Sequence, residues 1–224
     1  MEIVPGIHQV DGVNGNSYIH LNGGFTLIDT GLPHSSKKIL GYIQKTLDRN
    51  PADIETIVLT HYHIDHIGSL DEIKRVSNAR VAIHEADADY VSGKKTQPVP
   101  PGMRGALYRG LSTVMKARAV EADILLHDGD TIAGLACIHT PGHTPGSIAL
   151  LDQTKKVLFS GDLIRFDGEK ITGPSPKFTP DPEKAYDSIR KIARLDYDIL
   201  LPGHGVPLRP DAAERVRAFS ESLG

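Results

Sequence analysis

The sequence predicts an α/β protein in which two layers, each of strands followed by helices, pack together. Short apolar segments bounded by Gly, Asn or Asp are typical of strands, and longer segments with apolar residues three or four positions apart are typical of helices. Strands precede helices in both halves of the 224 residues, although no strict repeat is visible. Hydrophobic residues make up 39% and charged residues 24% of the chain, which is enough apolar material to build a core.

The N-terminal half begins with three predicted strands, at 7–10, 17–21 and 25–29, which Gly- and Asn-rich turns separate. Ser35 or Ser36 is expected to start a helix, and Pro51 ends that region. This helix has apolar residues at helical spacing, namely Ile39, Leu40, Ile43 and Leu47. The elements expected next are a strand at 56–60, a helix at 70–76, a strand at 80–83 and a short helix from about Glu85 to Gly93.

Residues 94–122 interrupt this alternation of strands and helices. A Pro-rich loop at 97–102 precedes a basic, weakly amphipathic helix predicted at 104–118. Two interpretations stay open: a connecting segment on the surface, or a lid or substrate wall, since long excursions in compact domains are often functional. The same segment is also a candidate surface for a homodimer.

The C-terminal half returns to strands and then helices. Strands are predicted at 131–138, 147–151 and 156–160. Asp181, Pro182 and Glu183 predict a helix start, because Asp is a good N-cap and Pro suits the first helical position. The face of this helix that is expected to be buried consists of Ala185, Ile189, Ile192 and Ala193. A strand at 198–201 and a helix at 211–220 complete the prediction.

Charge and residue counts narrow the function classes. The net charge of −3 argues against a nucleic-acid-binding protein, which usually carries a basic excess. The N-terminal residues have no basic region and no long apolar run, so no signal peptide is expected, and no apolar run is long enough to span a membrane. A soluble cytoplasmic protein is therefore expected. The chain has 11 His but only one Cys, so any metal ligands must be His and carboxylate.

The most informative segment follows the strand at 56–60. His61, His63, Asp65 and His66 lie within six residues of one another. The spacing of His61 and His63, with the adjacent Asp65 and His66, suits a turn whose side chains diverge towards two neighbouring centres. Imidazole and carboxylate groups are ligands of zinc, iron and manganese, so this segment predicts a metal site.

Three later segments share one layout, in which an apolar strand leads through Gly to a residue that can bind a metal. These residues are His143, Asp162 and His204. The end of a strand is a rigid platform, and the Gly lets the backbone turn sharply towards a cleft. Together with the first motif, they predict one shared site built from the ends of four strands.

These motifs, with the early Leu27-Ile28-Asp29-Thr30-Gly31, resemble the metallo-β-lactamase fold superfamily over about residues 1–210. The resemblance implies one domain, 1–224, folded as a four-layer αββα sandwich with a binuclear site at one edge. It assigns His61, His63 and His143 to the first metal and Asp65, His66 and His204 to the second, with Asp162 bridging the two. Asp29 would orient a ligand His through its other ring nitrogen, and Thr60 would help in the same way.

The implied reaction is hydrolysis of a small ester, thioester or lactone by a hydroxide that bridges two divalent ions about 3.5–4 Å apart. Zinc is the expected metal, and iron or manganese also suits His and Asp ligands. Asp65 is expected to orient the nucleophile and to carry a proton to the leaving group. Weak side activity on β-lactams or phosphodiesters would fit such a site.

The sequence departs from the motifs of three kinds of enzyme in this superfamily, and these departures narrow the expected substrates. True β-lactamases usually place a Cys in the second metal site and have no bridging Asp. This chain has Asp162 instead, and its only Cys, Cys137, lies inside an apolar strand and is expected to be core. Because 20 residues follow His204 in this sequence (205–224), the C-terminal helical domain of glyoxalase II-type enzymes is expected to be missing. Quorum-sensing lactonases carry Tyr three residues after the bridging Asp, where this chain has Arg165.

Two other function classes stay open. One is an iron-dependent oxidoreductase similar to the persulfide dioxygenases, with a single iron held by the first His pair, His143 and Asp162. The other is a metal-binding module without catalysis. His34, Arg165 and Lys177 are candidate substrate contacts. The remaining His are expected to be surface or core residues, namely His8, His20, His84, His127 and His139.

Overall fold

The computed structural model of the chain describes residues 1–97 and 117–223. The described chain forms two compact units. The first contains residues 1–83 and the described part of 88–125, and the second contains residues 84–87 and those from 126 onwards. Each unit has its own hydrophobic cluster. No helix in the described ranges has both the length and the apolar character needed to cross a membrane.

The first unit is built on a seven-stranded sheet whose strands follow one another in chain order. Its strands are β1 (Glu2–Val4), β2 (Ile7–Gln9), β3 (Tyr18–His20), β4 (Thr26–Ile28), β5 (Thr56–Val58), β6 (Arg80–His84) and β7 (Ile124–Leu126). The first four pair antiparallel, and β4, β5 and β6 pair parallel. The carboxyl ends of β4 and β5 therefore lie at the same edge of the sheet.

Helices cover this sheet with their apolar faces. They are α1 (Ser36–Lys45), the single turn α2 (Ile64–Ile67), α3 (Leu70–Ser77) and α4 (Glu85–Val91), of which residues 85–87, like His84 at the end of β6, belong to the second unit. Ile39 and Ile43 of α1 and Ile73 of α3 belong to the same buried cluster as Leu27 of β4 and Ile57 of β5. Ser35 is the residue before α1, as predicted, but its side chain makes no capping hydrogen bond.

The second unit contains a five-stranded sheet and a small two-stranded one. In chain order the strands are β8 (Thr131–Ile132), β9 (Leu135–His139), β10 (Ile148–Asp152), β11 (Val157–Gly161), β12 (Arg165–Phe166), β13 (Ile171–Thr172) and β14 (Ile199–Pro202). The larger sheet has the order β14-β11-β10-β9-β8, and β12 pairs with β13. Only the β11–β14 pair is parallel among the pairs described for this unit, so β11 and β14 end at the same edge.

Two helices complete the second unit, α5 (Pro182–Ile192) and α6 (Ala212–Glu221). The predicted start of α5 is confirmed: the Asp181 side chain accepts a hydrogen bond from the backbone N–H of Lys184 at 3.1 Å, and Pro182 is the first helical residue. Ala185 and Ile189 are fully buried on the inner face of this helix.

The strand predicted at 131–138 is wrong as a single element. The structure has a hairpin there, β8 and β9, joined by Ala133 and Gly134. Both residues have positive φ angles of 50° and 78°, which is the backbone of a tight two-residue hairpin turn. The short strands β1, β7, β12 and β13 were not predicted, and all four are edge or accessory strands of two or three residues.

Only the two ends of the 94–122 segment are described. Lys94 forms an ion pair with Glu121 at 3.1 Å, and the backbone N–H of Val120 donates to the carbonyl of Val91 at 3.1 Å. The side chain of Gln97 donates to the carbonyl oxygen of Tyr62, inside the His-rich motif, at 2.9 Å. The helix predicted at 104–118 lies almost entirely outside the described residues, so the lid and interface interpretations stay predictions.

His84 lies in a group of three His in the second unit. Its ring is buried and stacks on His139 with centroids 3.9 Å apart, and His127 lies 6.2 Å away. Burial, and then the positive charge that His139 can carry, lower the pKa of His84 from 6.5 to about 4, against the opposing effect of Glu85. The folded protein therefore keeps His84 neutral over a range in which the unfolded chain takes up a proton.

This difference predicts a pH-dependent stability. The contribution of neutral His84 is complete above pH 6.5 and is lost as the pH falls from 6.5 towards 4, because the unfolded chain then binds the extra proton. Relative to the His84→Asn variant, which keeps an acceptor for the Ala86 N–H, the wild type should lose unfolding free energy more steeply over that range. Urea titrations at several pH values measure the difference.

His127→Asn is the matched control for that series. Glu85 and Asp130 raise the pKa of His127, so its stabilising contribution is present at low pH and fades as the pH rises. The two variants should therefore deviate from the wild type in opposite directions. Equal pH slopes for the wild type and His84→Asn would contradict the assignment.

Candidate metal centre

The His-rich motif follows β5 at the carboxyl edge of the first sheet. His61 and His63 lie in the loop after the strand, whereas Asp65 and His66 lie on the helical turn α2. The prediction of a simple turn for the whole motif is therefore wrong in its second half. His61 and His66 are buried with ring centroids 4.1 Å apart, and His63 and Asp65 are partly exposed. The structure brings these side chains of the first unit together.

Asp29 supports this group from the end of β4. One of its carboxylate oxygens, Oδ1, accepts a hydrogen bond from the backbone N–H of Thr60 at 2.8 Å. The other, Oδ2, lies 2.7 Å from the hydroxyl of Thr60 and 2.8 Å from Nδ1 of His66. The carboxylate is only 2% exposed. The prediction that Asp29 orients one of the motif His through Nδ1 is confirmed.

Thr60 extends the same support to His61. Its hydroxyl donates to Asp29, so its oxygen accepts from Nδ1 of His61, which lies 3.0 Å away. Both His61 and His66 therefore carry their ring proton on Nδ1 and present the lone pair of Nε2. This is the arrangement that metal-binding His usually adopt, with the outer nitrogen held by a carboxylate or a hydroxyl.

The second unit places its candidate ligands at the common end of β11 and β14. The parallel register pairs Gly161 with Pro202, and the backbone N–H of Gly203 donates to the carbonyl of Gly161 at 2.7 Å. Asp162 follows β11 directly, and His204 lies two residues after the end of β14. Oδ2 of Asp162 lies 3.4 Å from Nε2 of His204 and 3.4 Å from Nε2 of His143.

The ring of His143 is oriented from its other side by Thr179. The Thr179 hydroxyl donates to the carbonyl of Ser175 at 2.8 Å, so its oxygen accepts from Nδ1 of His143 at 3.1 Å. Nε2 of His143 then has a lone pair that faces the Asp162 carboxylate, and both groups are at most 8% exposed. Two buried acceptors this close fit a cation between them, so this half of the donor set suits a metal ion.

The candidate substrate contacts named from the sequence differ in how exposed they are. His34 is exposed in the turn before α1, with a left-handed backbone at φ 71°. Arg165 is partly buried on β12, and Lys177 is exposed two residues before Thr179. Substrate contact by these three residues stays a prediction. Cys137 is buried, and this burial raises the pKa of its thiol to about 12, which confirms it as a core residue.

Two residues in this region were not predicted. Thr179 follows a one-turn helix at Pro176–Phe178 and has no sequence signal beyond its hydroxyl. Asp87 lies on α4 and is completely buried, with both carboxylate oxygens hydrogen-bonded to the loop after His143. The sequence predicted a helix from about Glu85 to Gly93, but nothing in the sequence indicates that an Asp within it has a partner 57 residues away.

Comparison with known proteins agrees with these features. The model of the metallo-β-lactamase superfamily matches residues 10–204. The chain is 34% identical to a probable metallo-hydrolase, YflN of Bacillus subtilis, over 92% of this chain and 86% of that protein. It is 32% identical to the human acyl-coenzyme A thioesterase MBLAC2, over 66% of this chain and 54% of that protein, so it spans about half of that relative.

A solved structure also has the fold of this chain. One described as TTHA1623 in a di-iron-bound form superimposes with a TM-score of 0.72 and 25% identity, covering 95% of this chain and 98% of that one. The predicted α/β class is thus confirmed as the metallo-β-lactamase type. Since the family model covers most of the sequence, including every candidate ligand, the chain belongs to the metallo-β-lactamase superfamily.

Proposed function

We propose that this member of the superfamily is a binuclear metal-dependent hydrolase acting on a small ester, thioester or lactone. In this proposal both units together form one catalytic domain, and seven residues hold two divalent ions, namely His61, His63, Asp65, His66, His143, Asp162 and His204. One observation carries the proposal. His61, His66 and His143 each have Nδ1 held by a carboxylate or hydroxyl, which leaves Nε2 to bind a metal.

Bound divalent ions supply a water of lowered pKa and polarise the oxygen of the substrate. The residues of the chain provide the rest. Asp29, Thr60 and Thr179 fix the rings of the His in one tautomer, so that little reorganisation is needed when a ligand arrives. Asp65 is the carboxylate of the motif that solvent reaches, with a side chain 27% exposed. It is suited to orient the attacking water and to carry a proton to the leaving group.

Thioesters are the favoured substrates within this class. The human relative is named an acyl-coenzyme A thioesterase, and a relative from Pseudomonas savastanoi, 29% identical over 75% of this chain, is named a hydroxyacylglutathione hydrolase. The substrates implied by both names are thioesters. The chain contains Asp162 and has its single Cys in the core, so a β-lactam is expected to be at most a weak substrate.

Metal removal tests the proposal directly. Purified protein loaded with zinc should contain two equivalents per chain and should hydrolyse members of a panel of acyl-coenzyme A, glutathione thioester, aryl ester and lactone substrates. Dialysis against a chelator should abolish hydrolysis because the water nucleophile loses its activation, and readdition of zinc should restore it. Hydrolysis by metal-free protein, or a lack of metal binding, would overturn the proposal.

An iron-dependent oxidoreductase is the second candidate, since His and Asp ligands also suit iron, and a structural neighbour described as di-iron-bound indicates that this fold can hold iron. The two candidates differ in stoichiometry and in co-substrate. A persulfide-dioxygenase-like enzyme would bind one iron and consume oxygen with a persulfide, whereas the hydrolase binds two ions and consumes no oxygen. Loading the protein with iron and with zinc, followed by metal analysis and an oxygen electrode, separates them.

A further inference from the structure

Asp87 of α4 is a buried carboxylate outside the set of candidate metal ligands. It is 0% exposed, and each of its oxygens accepts a short hydrogen bond. Oδ2 accepts from the hydroxyl of Thr144 at 2.6 Å, and Oδ1 accepts from the backbone N–H of Gly146 at 2.6 Å. A carboxylate is costly to bury unless its oxygens are paired, so these contacts indicate a specific attachment point.

The loop that Asp87 contacts is shaped to receive it. Thr144 gives its hydroxyl proton to Asp87, so the Ser147 hydroxyl donates to the Thr144 oxygen at 2.7 Å. The backbone N–H of Thr144 in turn donates to the Ser147 hydroxyl oxygen at 3.0 Å. A Cβ on Gly146 would lie 2.7 Å from the Asp87 side chain, so only Gly allows this approach. The loop between β9 and β10 is therefore closed on itself and fastened to α4.

This loop carries His143, whose position it sets. Thr144 is the next residue, and its carbonyl accepts from the N–H of Gly142 at 3.1 Å, so the contacts of Thr144 hold the backbone on both sides of His143. Thr179 orients the imidazole ring itself. We infer that Asp87 is the positioning residue that fixes the backbone of His143. This inference rests on the proposed function, because it treats His143 as a metal ligand.

The inference makes a selective prediction for metal binding. In the assignment above, His143 holds only one of the two ions. Asp87→Ala should therefore weaken one zinc equivalent by about 10- to 100-fold and leave the other close to its wild-type affinity. A general loss of structure would weaken both equivalents together. Asp87→Asn should give an intermediate effect, because its amide oxygen can still accept from Gly146 while its NH₂ group cannot accept from Thr144.

The experiment titrates zinc into the metal-free full-length chain in competition with a chromogenic chelator, for the wild type and each variant. Thermal unfolding of the metal-free proteins runs in parallel. Asp89→Ala is the matched control, since Asp89 lies on the same helix in an exposed ion pair with Lys95. It should keep both wild-type affinities. Thr144→Val removes one of the two contacts and serves as the test if Asp87→Ala does not fold.

The outcomes separate this inference from the proposed function. A wild type that binds no zinc overturns the proposed function itself. A wild type that binds two equivalents, together with a folded Asp87→Ala or Thr144→Val variant that keeps both affinities or loses both equally, overturns only the role of Asp87. Selective weakening of one equivalent, with a graded effect in Asp87→Asn, supports it.

Discussion

Asp162→Asn should weaken metal binding, and lower kcat/KM with it, on the order of 10³-fold. The buried Oδ2 atom lies 3.4 Å from Nε2 of both His143 and His204, so in the proposed site its negative charge would help to hold a cation beside both imidazoles. Removing one partner of a buried charged group costs about 3–5 kcal/mol, and every 1.4 kcal/mol is about tenfold in affinity. Metal analysis and steady-state kinetics on the same preparation measure the effect.

Thermal unfolding of Asp162→Asn, with and without zinc, gives a second test of the role of this carboxylate. Without a metal, Asn removes the repulsion between the carboxylate and the lone pair of His143, so the metal-free variant should unfold at the same temperature as the wild type or higher. With zinc, the wild type should be the more stable protein, because a ligand that binds the folded state stabilises it. Asp187→Asn, on the exposed face of α5, should change neither measurement. A wild-type level of zinc in folded Asp162→Asn would contradict the role given to this carboxylate.

Gly142→Ala should destabilise the protein by about 2–6 kcal/mol, the combined cost of backbone strain and of a steric clash. Gly142 has φ 130°, which side chains of L-residues rarely adopt, and its Cβ would lie 2.2 Å from the backbone nitrogen of Ala185 in α5. Its carbonyl also accepts a hydrogen bond from Asp181, the cap of that helix, at 3.3 Å. Either the loop or the helix has to move. Urea unfolding of the metal-free variant measures the loss.

Gly129→Ala separates the two costs. Gly129 also has a positive φ, 88°, but no atom lies within 4 Å of its added Cβ, so only backbone strain remains. Its effect should be clearly smaller than that of Gly142→Ala. Gly41→Ala should instead stabilise the protein by about 0.5–1 kcal/mol, because Gly41 lies inside α1 with open space around it. Similar losses for Gly142→Ala and Gly129→Ala would show that the close approach to α5 is relieved at little cost.

The sequence was most informative where chemistry and periodicity coincide. The segments that precede Asp29, His61 and Asp162 are short apolar runs followed by polar residues, and the structure has strands at all three places. The start of α5 was predictable because Asp181 and Pro182 act through local backbone geometry. The second unit brings His143, Asp162 and His204 together, as their shared layout had suggested.

Features that depend on distant contacts were not predictable. Asp87 looks like an ordinary helical Asp, because its partner Thr144 is distant in sequence and its burial is set by tertiary packing. The hairpin at Ala133 and Gly134 was hidden inside an apolar segment, where a turn needs only two residues with positive φ. Strand β1 lies next to Pro5 and Gly6 and is only three residues long, too short for an alternating pattern to appear.

The carboxylate of Asp29 also has an evolutionary consequence. Its Oδ2 atom lies within hydrogen-bonding distance of both Thr60 and His66, and Thr60 contacts His61 in turn. Substitutions at Asp29 and Thr60 should therefore be epistatic, since the loss of Asp29 already removes what Thr60 transmits to His61. A single substitution that removes this carboxylate leaves the rings of both His61 and His66 without their support. A substitution at another position is not expected to restore both. Metal binding should therefore fall more after a substitution at Asp29 than after one at Thr179. Among the candidate ligands of the described chain, Thr179 supports only His143.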